Sequence, residues 1–154
     1  MGTRSTIALE FADGTVEVVY CHWDGYLEHN GKILQEHYSD PFKLRDLIDQ
    51  GYISSLRKEI GTKHPFSPHG SEQDELAYHE AVDLGGATTF YARDRGEDLI
   101  KEKFVDFQDY LAHHTYEEYE YILRRDGNWY VKCHDAPYVT LEQAFIEQTV
   151  LEDN

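Results

Sequence analysis

The chain has 154 residues and a mass of 18.0 kDa, room for one hydrophobic core and too little for two ordinary ones. Thirty Asp and Glu against fourteen Lys and Arg leave a net charge of -16, which excludes a basic surface that grips nucleic-acid phosphates and repels anionic ligands on approach. With 40% hydrophobic and 14% aromatic residues it carries more apolar mass than an acidic disordered tail, and reads as a single folded domain, residues 1–154, with an acidic skin.

Ile7, Leu9 and Phe11 alternate along the first segment, Asp13-Gly14 supplies a tight turn, and Thr15 to His22 is rich in β-branched residues, so a β-hairpin is predicted. Tyr26 to Tyr38 predicts a helix, with Leu27, Leu34 and Tyr38 towards one face, Ile33 beside them, and Glu28, Lys32 and Glu36 towards the other. Asp40 as N-cap and Pro41 at the first helical position open a second helix with the stripe Phe42, Leu44, Leu47 and Ile48, stopped by Gly51. Ser54 or Ser55 caps a third, short helix through Ile60, and the polar run Thr62–Ser71 reads as a surface loop. The run 87–92 after Gly85-Gly86 predicts a fifth strand, and Phe104, Phe107 and Leu111 predict a helix within 101–113. Tyr119, Tyr121 and Leu123 alternate up to Asp126-Gly127, and 129–133 runs back as a second hairpin. Thr140 and Gln143 form a capping box for a last helix whose Leu141, Phe145 and either Ile146 or Thr149 face inward. The sum is α+β: two antiparallel β-hairpins, about five strands, with several helices packed on one face.

Met1–Glu10 has no apolar stretch of signal-peptide length, and no window approaches a membrane span, so the protein is expected in the cytosol. In that reducing compartment Cys21 and Cys133 read as two buried thiols rather than a disulfide.

The pattern Thr3-Arg-Ser-Thr-Ile-Ala-Leu-Glu10, then Val19-Tyr-Cys-His-Trp-Asp-Gly-Tyr26, Asn30-Gly-Lys-Ile-Leu34, His37-Tyr38 and Ser54-Ser-Leu56, resembles a group of small proteins encoded by tailed bacteriophages and prophages. The likeness covers the first two-fifths of the chain; later residues match loosely, in 118–121 and 126–130. It implies a viral accessory protein of the host bacterial cytoplasm and implies no reaction.

The densest polar and aromatic cluster is His22, Trp23, Asp24 and Tyr26, with His29 and Asn30 a helical turn on, where a strand hands over to a helix. The simpler reading makes Asp24 an N-cap, Trp23 a packing anchor and Gly25 a turn residue. The chemical reading makes the cluster a ligand or metal site with His22, Asp24 and His29 as acid–base groups. Cys21-His22 and Cys133-His134 repeat a dipeptide of zinc ligands, but neighbours on a strand point to opposite faces, and no metal site is predicted. There is no phosphate-binding glycine motif, and Arg93-Asp-Arg-Gly96 reads as local ion pairs. No catalytic set and no cofactor are predicted.

Negative charge is concentrated late: residues 72–126 hold fifteen acids against six bases. Glu72, Asp74, Glu75, Glu80 and Asp83 form one group, Glu117, Glu118 and Glu120 a second, and Glu142 and Glu147 line the last helix, followed by Glu152 and Asp153. Such a field suits a basic groove on a host nucleic-acid-handling or defence protein, by mimicry of nucleic-acid charge, without direct nucleic-acid contact. An enzyme or small-ligand protein built on the 21–30 junction, and a virion or assembly component, are the alternatives.

Overall fold

Two Asp-Gly turns reverse the chain where alternation predicts it, and both hairpins belong to one sheet. The computed structural model describes residues 2–153, with side chains through Val150. In chain order the elements are β1 (Ser5–Glu10), β2 (Val16–Cys21), a π-helical turn (Leu27–Gly31) running into α1 (Lys32–His37), α2 (Pro41–Ile48), β3 (Ile53–Ser55) and α3 (Glu72–Tyr78). A second π-helical stretch (His79–Leu84) extends α3; β4 (Thr89–Phe90), α4 (Tyr91–Arg95), β5 (Glu102–Phe104), α5 (Phe107–His113), β6 (Tyr119–Leu123), β7 (Trp129–Cys133), β8 (Val139–Thr140) and α6 (Leu141–Asp153) follow.

The first hairpin runs in register from Ser5↔Cys21 to Glu10↔Val16, and the second from Tyr119↔Cys133 to Leu123↔Trp129. Gly14 and Gly127 take the positive φ angles, 93° and 85°, that their turns require. β1 and β6 pair in parallel from Ser5↔Tyr119 to Leu9↔Leu123, which fuses the hairpins at the centre of the sheet. The order is β4-β3-β2-β1-β6-β7-β8, with β5 pairing antiparallel to β2 over Val16–Val18. The architecture is therefore α+β with an eight-stranded mixed sheet, which corrects the five-strand, two-hairpin expectation. The strand expected over 87–92 narrows to β4, with α4 beginning at Tyr91, and the additional strands β3, β5 and β8 have only two or three residues, too few for a period-two pattern to be visible.

Helices cover both faces rather than one. Ile7, Leu9, Val19, Cys21, Tyr121, Leu123, Trp129 and Val131 point to the main core, closed by Leu34, Leu44, Leu47, Ile48 and Leu141. The alternate residues Ala8, Val16, Val18 and Ile122 lie against Phe104 and Tyr110, so α5 covers the opposite face. β1 is buried at every position as a result.

Local signals hold where they are strongest. Asp40 accepts from the Phe42 amide at 2.9 Å with Pro41 beside it, and Gly51 ends the turn with φ 83°. The short helix over 55–60 does not form: its six residues cannot offset nucleation, and the Arg57 and Glu59 amides bond instead to Thr88 Oγ1 and the Gly86 carbonyl. Helix α3, which no hydrophobic period announces, starts on a Ser71/Asp74 capping box. In the 101–113 stretch only Phe107–His113 is helical, because Phe104 lies in β5 and Asp106 provides the cap. Among the described side chains of α6, Leu141 and Ala144 are the buried ones, whereas Ile146 and Thr149 are exposed. Among the described residues no helix is long and apolar enough to cross a membrane.

Candidate functional site

At the 21–30 junction the parallel contact of β2 with β3 continues past the strand end, the His22 and Trp23 amides donating to the Ile53 and Ser54 carbonyls at 3.0 Å. Asp24 then takes φ 57°, a left-handed conformation that costs a non-glycine residue energy, and Gly25 closes against the Thr3 carbonyl at 2.7 Å. A Cβ on Gly25 would stand 2.7 Å from that of Ser5, so glycine is required by close approach rather than by turn geometry. Asp24 is not the N-cap; the capping position falls on Tyr26 without a side-chain bond, and the Asp24 carbonyl accepts the Asn30 amide at 3.2 Å.

Fully buried Asn30 joins three segments: its Nδ2 reaches Ser5 Oγ at 3.2 Å, Cys21 Sγ at 3.4 Å and the Trp23 carbonyl at 3.5 Å, while His29 Nδ1 meets its Oδ1 at 2.9 Å. Tyr121 adds an O–H donated to the Gly25 carbonyl at 2.6 Å. His22 pairs separately with Tyr20 through Nδ1, 2.7 Å from the phenol, and its pKa is lowered by burial and by the charge of Arg4. Trp23 stays 43% exposed, edge-on to His22. The structure thus gathers Asn30 and His29 and leaves His22 on its own pair with Tyr20. Burial pushes the Cys21 thiol up to about 11, hydrogen bonds from Asn30 notwithstanding, which favours the neutral thiol. Cys133 is half-buried, and both thiols are free. Among the described residues no group of three or more His, Cys, Asp or Glu is placed to hold a metal ion.

The acidic residues do not form one surface. Glu72, Asp74, Glu75, Glu80 and Asp83 all lie exposed on the helical arm 72–84, in which α3 buries no side chain and Val82 is the one buried residue. Leu76 and Leu84 stand out on that arm, 61% and 68% exposed. Among the described residues none of these five carboxylates pairs with Lys or Arg; Asp83 meets His79 Nδ1 at 3.1 Å. Glu142 and Glu147 are exposed on α6, which packs on β7 and β8 at the other end of the sheet from β3 and β4. The side chains of Glu152 and Asp153 lie outside the described residues.

Of the middle acidic group, Glu118 is exposed and Glu117 half-buried, but Glu120 is not a surface residue: it is 1% exposed, on the α5 side of β6. Glu120 Oε1 lies 2.5 Å from His114 Nε2 and accepts the Tyr138 hydroxyl at 2.8 Å, and Tyr138 in turn meets the Tyr110 hydroxyl at 3.0 Å. His114 Nδ1 faces the Tyr110 carbonyl at 2.5 Å and must carry a hydrogen there, since a carbonyl only accepts. Its ring stacks on Tyr110 with centroids 4.1 Å apart. Period two along β6 carries the signal: Glu120 falls between Tyr119 and Tyr121, and a strand buried on both faces takes its acid inward.

A further buried site lies where the loop 61–70 meets β4. Asp94 accepts from the Phe90 and His64 amides at 2.8 and 3.1 Å and pairs with Arg93, whose guanidinium also reaches the Thr88, Ile60 and Gly61 carbonyls. The 93–96 run is therefore made of local ion pairs, one of them with a buried carboxylate, and His64 is buried in a stretch that reads as polar surface loop.

The chain matches no protein-family model, no curated protein and no solved structure.

Proposed function

We propose that this protein is a non-catalytic binder that lays its helical arm, residues 72–84, on the basic surface of a partner protein. The observation that carries the proposal is the arm itself: five exposed carboxylates without a Lys or Arg counter-charge among the described residues, beside two exposed leucines. An arm that buries only Val82 gains little from the body it is attached to, and its exposed leucines are free to be buried elsewhere. Carboxylates around leucines form the polar rim and apolar centre of a protein–protein contact, where charge sets approach and register and the leucines supply burial. The resemblance of residues 3–56 to phage and prophage proteins points to a bacterial host protein, and the acidity to one whose surface ordinarily meets nucleic acid.

The test is capture from host lysate at low and moderate salt with the wild type, with E72Q/D74N/E75Q/E80Q/D83N and with L76A/L84A, followed by an assay of the captured protein's nucleic-acid binding. The reading requires a partner that both variants lose, that elutes as salt rises, and whose nucleic-acid binding the wild type blocks. A partner retained equally by all three proteins, or one indifferent to salt, refutes it.

A further inference from the structure

A cleft of about 500 Å³ opens between the C-terminal ends of the parallel strands β1 and β6 and the start of α2, within the size range of small-molecule sites. Its apolar lining comes from Leu9, Phe11, Leu123 and Phe42, and the Phe42 ring is 67% exposed although it sits in the hydrophobic stripe of α2. Arg45, Arg124, Arg125 and one acidic residue, Glu10, also line the cleft.

The four charges are not equally committed. Glu10 accepts from Arg124 Nε at 3.1 Å, from Arg124 Nη2 at 3.3 Å and from the Arg125 amide at 3.1 Å, and the Arg124 guanidinium lies 3.6 Å over the Phe107 ring. Arg124 is therefore fixed. The Arg125 side chain is 55% exposed, with Nε at 3.8 Å from Glu10 and Nη1 at 3.4 Å from the Ala12 carbonyl. Arg45 lies near the Phe42 ring, 5.5 Å from its centroid, and has no ion pair among the described residues. Two exposed arginines thus line an apolar cleft in a chain whose net charge is -16.

We infer that this cleft is a binding site for a small amphipathic carboxylate, a monocarboxylic acid with an aliphatic tail. The tail covers Leu9, Phe11, Phe42 and Leu123, and the head group lies between Arg45 and Arg125. A guanidinium fork matches the two oxygens of a carboxylate and holds them by charge-assisted bonds. The chain's overall field repels an anion in proportion to its charge, which favours a singly charged ligand whose affinity comes mainly from apolar burial. The site is separate from the arm 72–84, which lies towards the β3–β4 end of the sheet, and stands whether or not that arm binds a protein.

The experiment titrates decanoate into methyl-labelled full-length protein by NMR, with decanol, decyltrimethylammonium and butyrate as comparisons. Saturable one-to-one binding of decanoate that moves the Leu9 and Leu123 methyls is the expected result, with decanol and butyrate each about tenfold weaker or more. R45A and R45A/R125A should weaken decanoate by a similar factor and leave decanol unchanged, with R45A melting as the wild type does. F42A, at an exposed position, should weaken both. No decanoate binding at millimolar concentration overturns the assignment, as do shifts scattered away from the cleft, equal affinity for decanoate and decyltrimethylammonium, or indifference to R45A.

Discussion

His114→Ala removes the imidazole that lies between the α5 terminus and β6, and it tests whether the buried Glu120 network fastens the second face of the sheet. His114 and Glu120 are 3% and 1% exposed, so neither is solvated by bulk water. Glu120 Oε2 already lacks a protein partner, and losing His114 leaves Oε1 with the Tyr138 hydroxyl alone. Leaving a buried polar group without its partner costs about 1–3 kcal/mol, and more for a charged one, and for a domain of this length each kcal/mol lowers Tm by roughly 2–4 °C. Urea denaturation followed by circular dichroism should therefore show H114A less stable by about 1–3 kcal/mol or more. Glu120→Gln, which keeps an acceptor for Tyr138, should lose less. The double variant H114F/E120M, which keeps a ring over Tyr110 and removes the buried carboxylate, should lose less than the sum of its single changes. A loss under about 1 kcal/mol for H114A, or additive losses in the cycle, would show that the two residues do not act as a unit.

Burial pushes the Glu10 carboxyl up, but bonds from the Arg124 side chain and Arg125 amide and the charges of both arginines outweigh it, so its pKa lies below the ordinary 4.5. Its contribution is complete above pH 4.5 and lost as pH falls through the lowered folded value; urea midpoints in that window should fall more steeply for wild type than for E10Q. Asn30→Ala should cost about 1–3 kcal/mol, because Nδ2 serves Ser5, Cys21 and the Trp23 carbonyl, while His29→Ala stays within about 0.5 kcal/mol; chemical denaturation of both separates a structural joint from a ligand site. Ellman's reagent should modify at most Cys133 in the native protein at pH 8 and both thiols in urea, so native C133S should give no reaction.

The legible parts of the fold were those with local causes. Asp13-Gly14 and Asp126-Gly127 encode their hairpins through positive φ, and Asp40-Pro41 encodes α2 through its cap. The parallel β1–β6 pairing has no local trace, because nothing in 5–9 specifies 119–123 as its neighbour, and the short strands β3, β5 and β8 exist only by pairing. Acidity was legible as composition and illegible as position. Glu75 and Glu120 look alike in a charge count, yet one lies on an arm in water and the other beneath α5. The cleft at Arg45 and Arg125 was invisible for the same reason, since its residues come from 9–12, 39–45 and 123–127, segments that β1–β6 pairing and the packing of α2 on β1 bring together.

Local structure accounts for only part of the acidity of the arm, and the remainder separates function from folding. Glu72, Asp74 and Glu75 occupy the first turn of α3, where carboxylates meet the positive end of the helix dipole and Asp74 completes the capping box. These three are stabilising in place whatever they bind. Glu80 and Asp83 lie towards the opposite end, before Gly85, where the dipole disfavours negative charge and His79 meets Asp83. Neutralising the first set, E72Q/D74N/E75Q, should therefore speed amide hydrogen exchange across 72–84, corresponding to a loss of about 1 kcal/mol in local stability. Neutralising the second, E80Q/D83N, should slow exchange by a few tenths of a kcal/mol. If the arm docks on a basic partner, both sets must weaken binding although they move helix stability in opposite directions. Binding that instead follows helix stability, falling with the first set and holding or rising with the second, would mean that the partner reads the folded arm and not its charge.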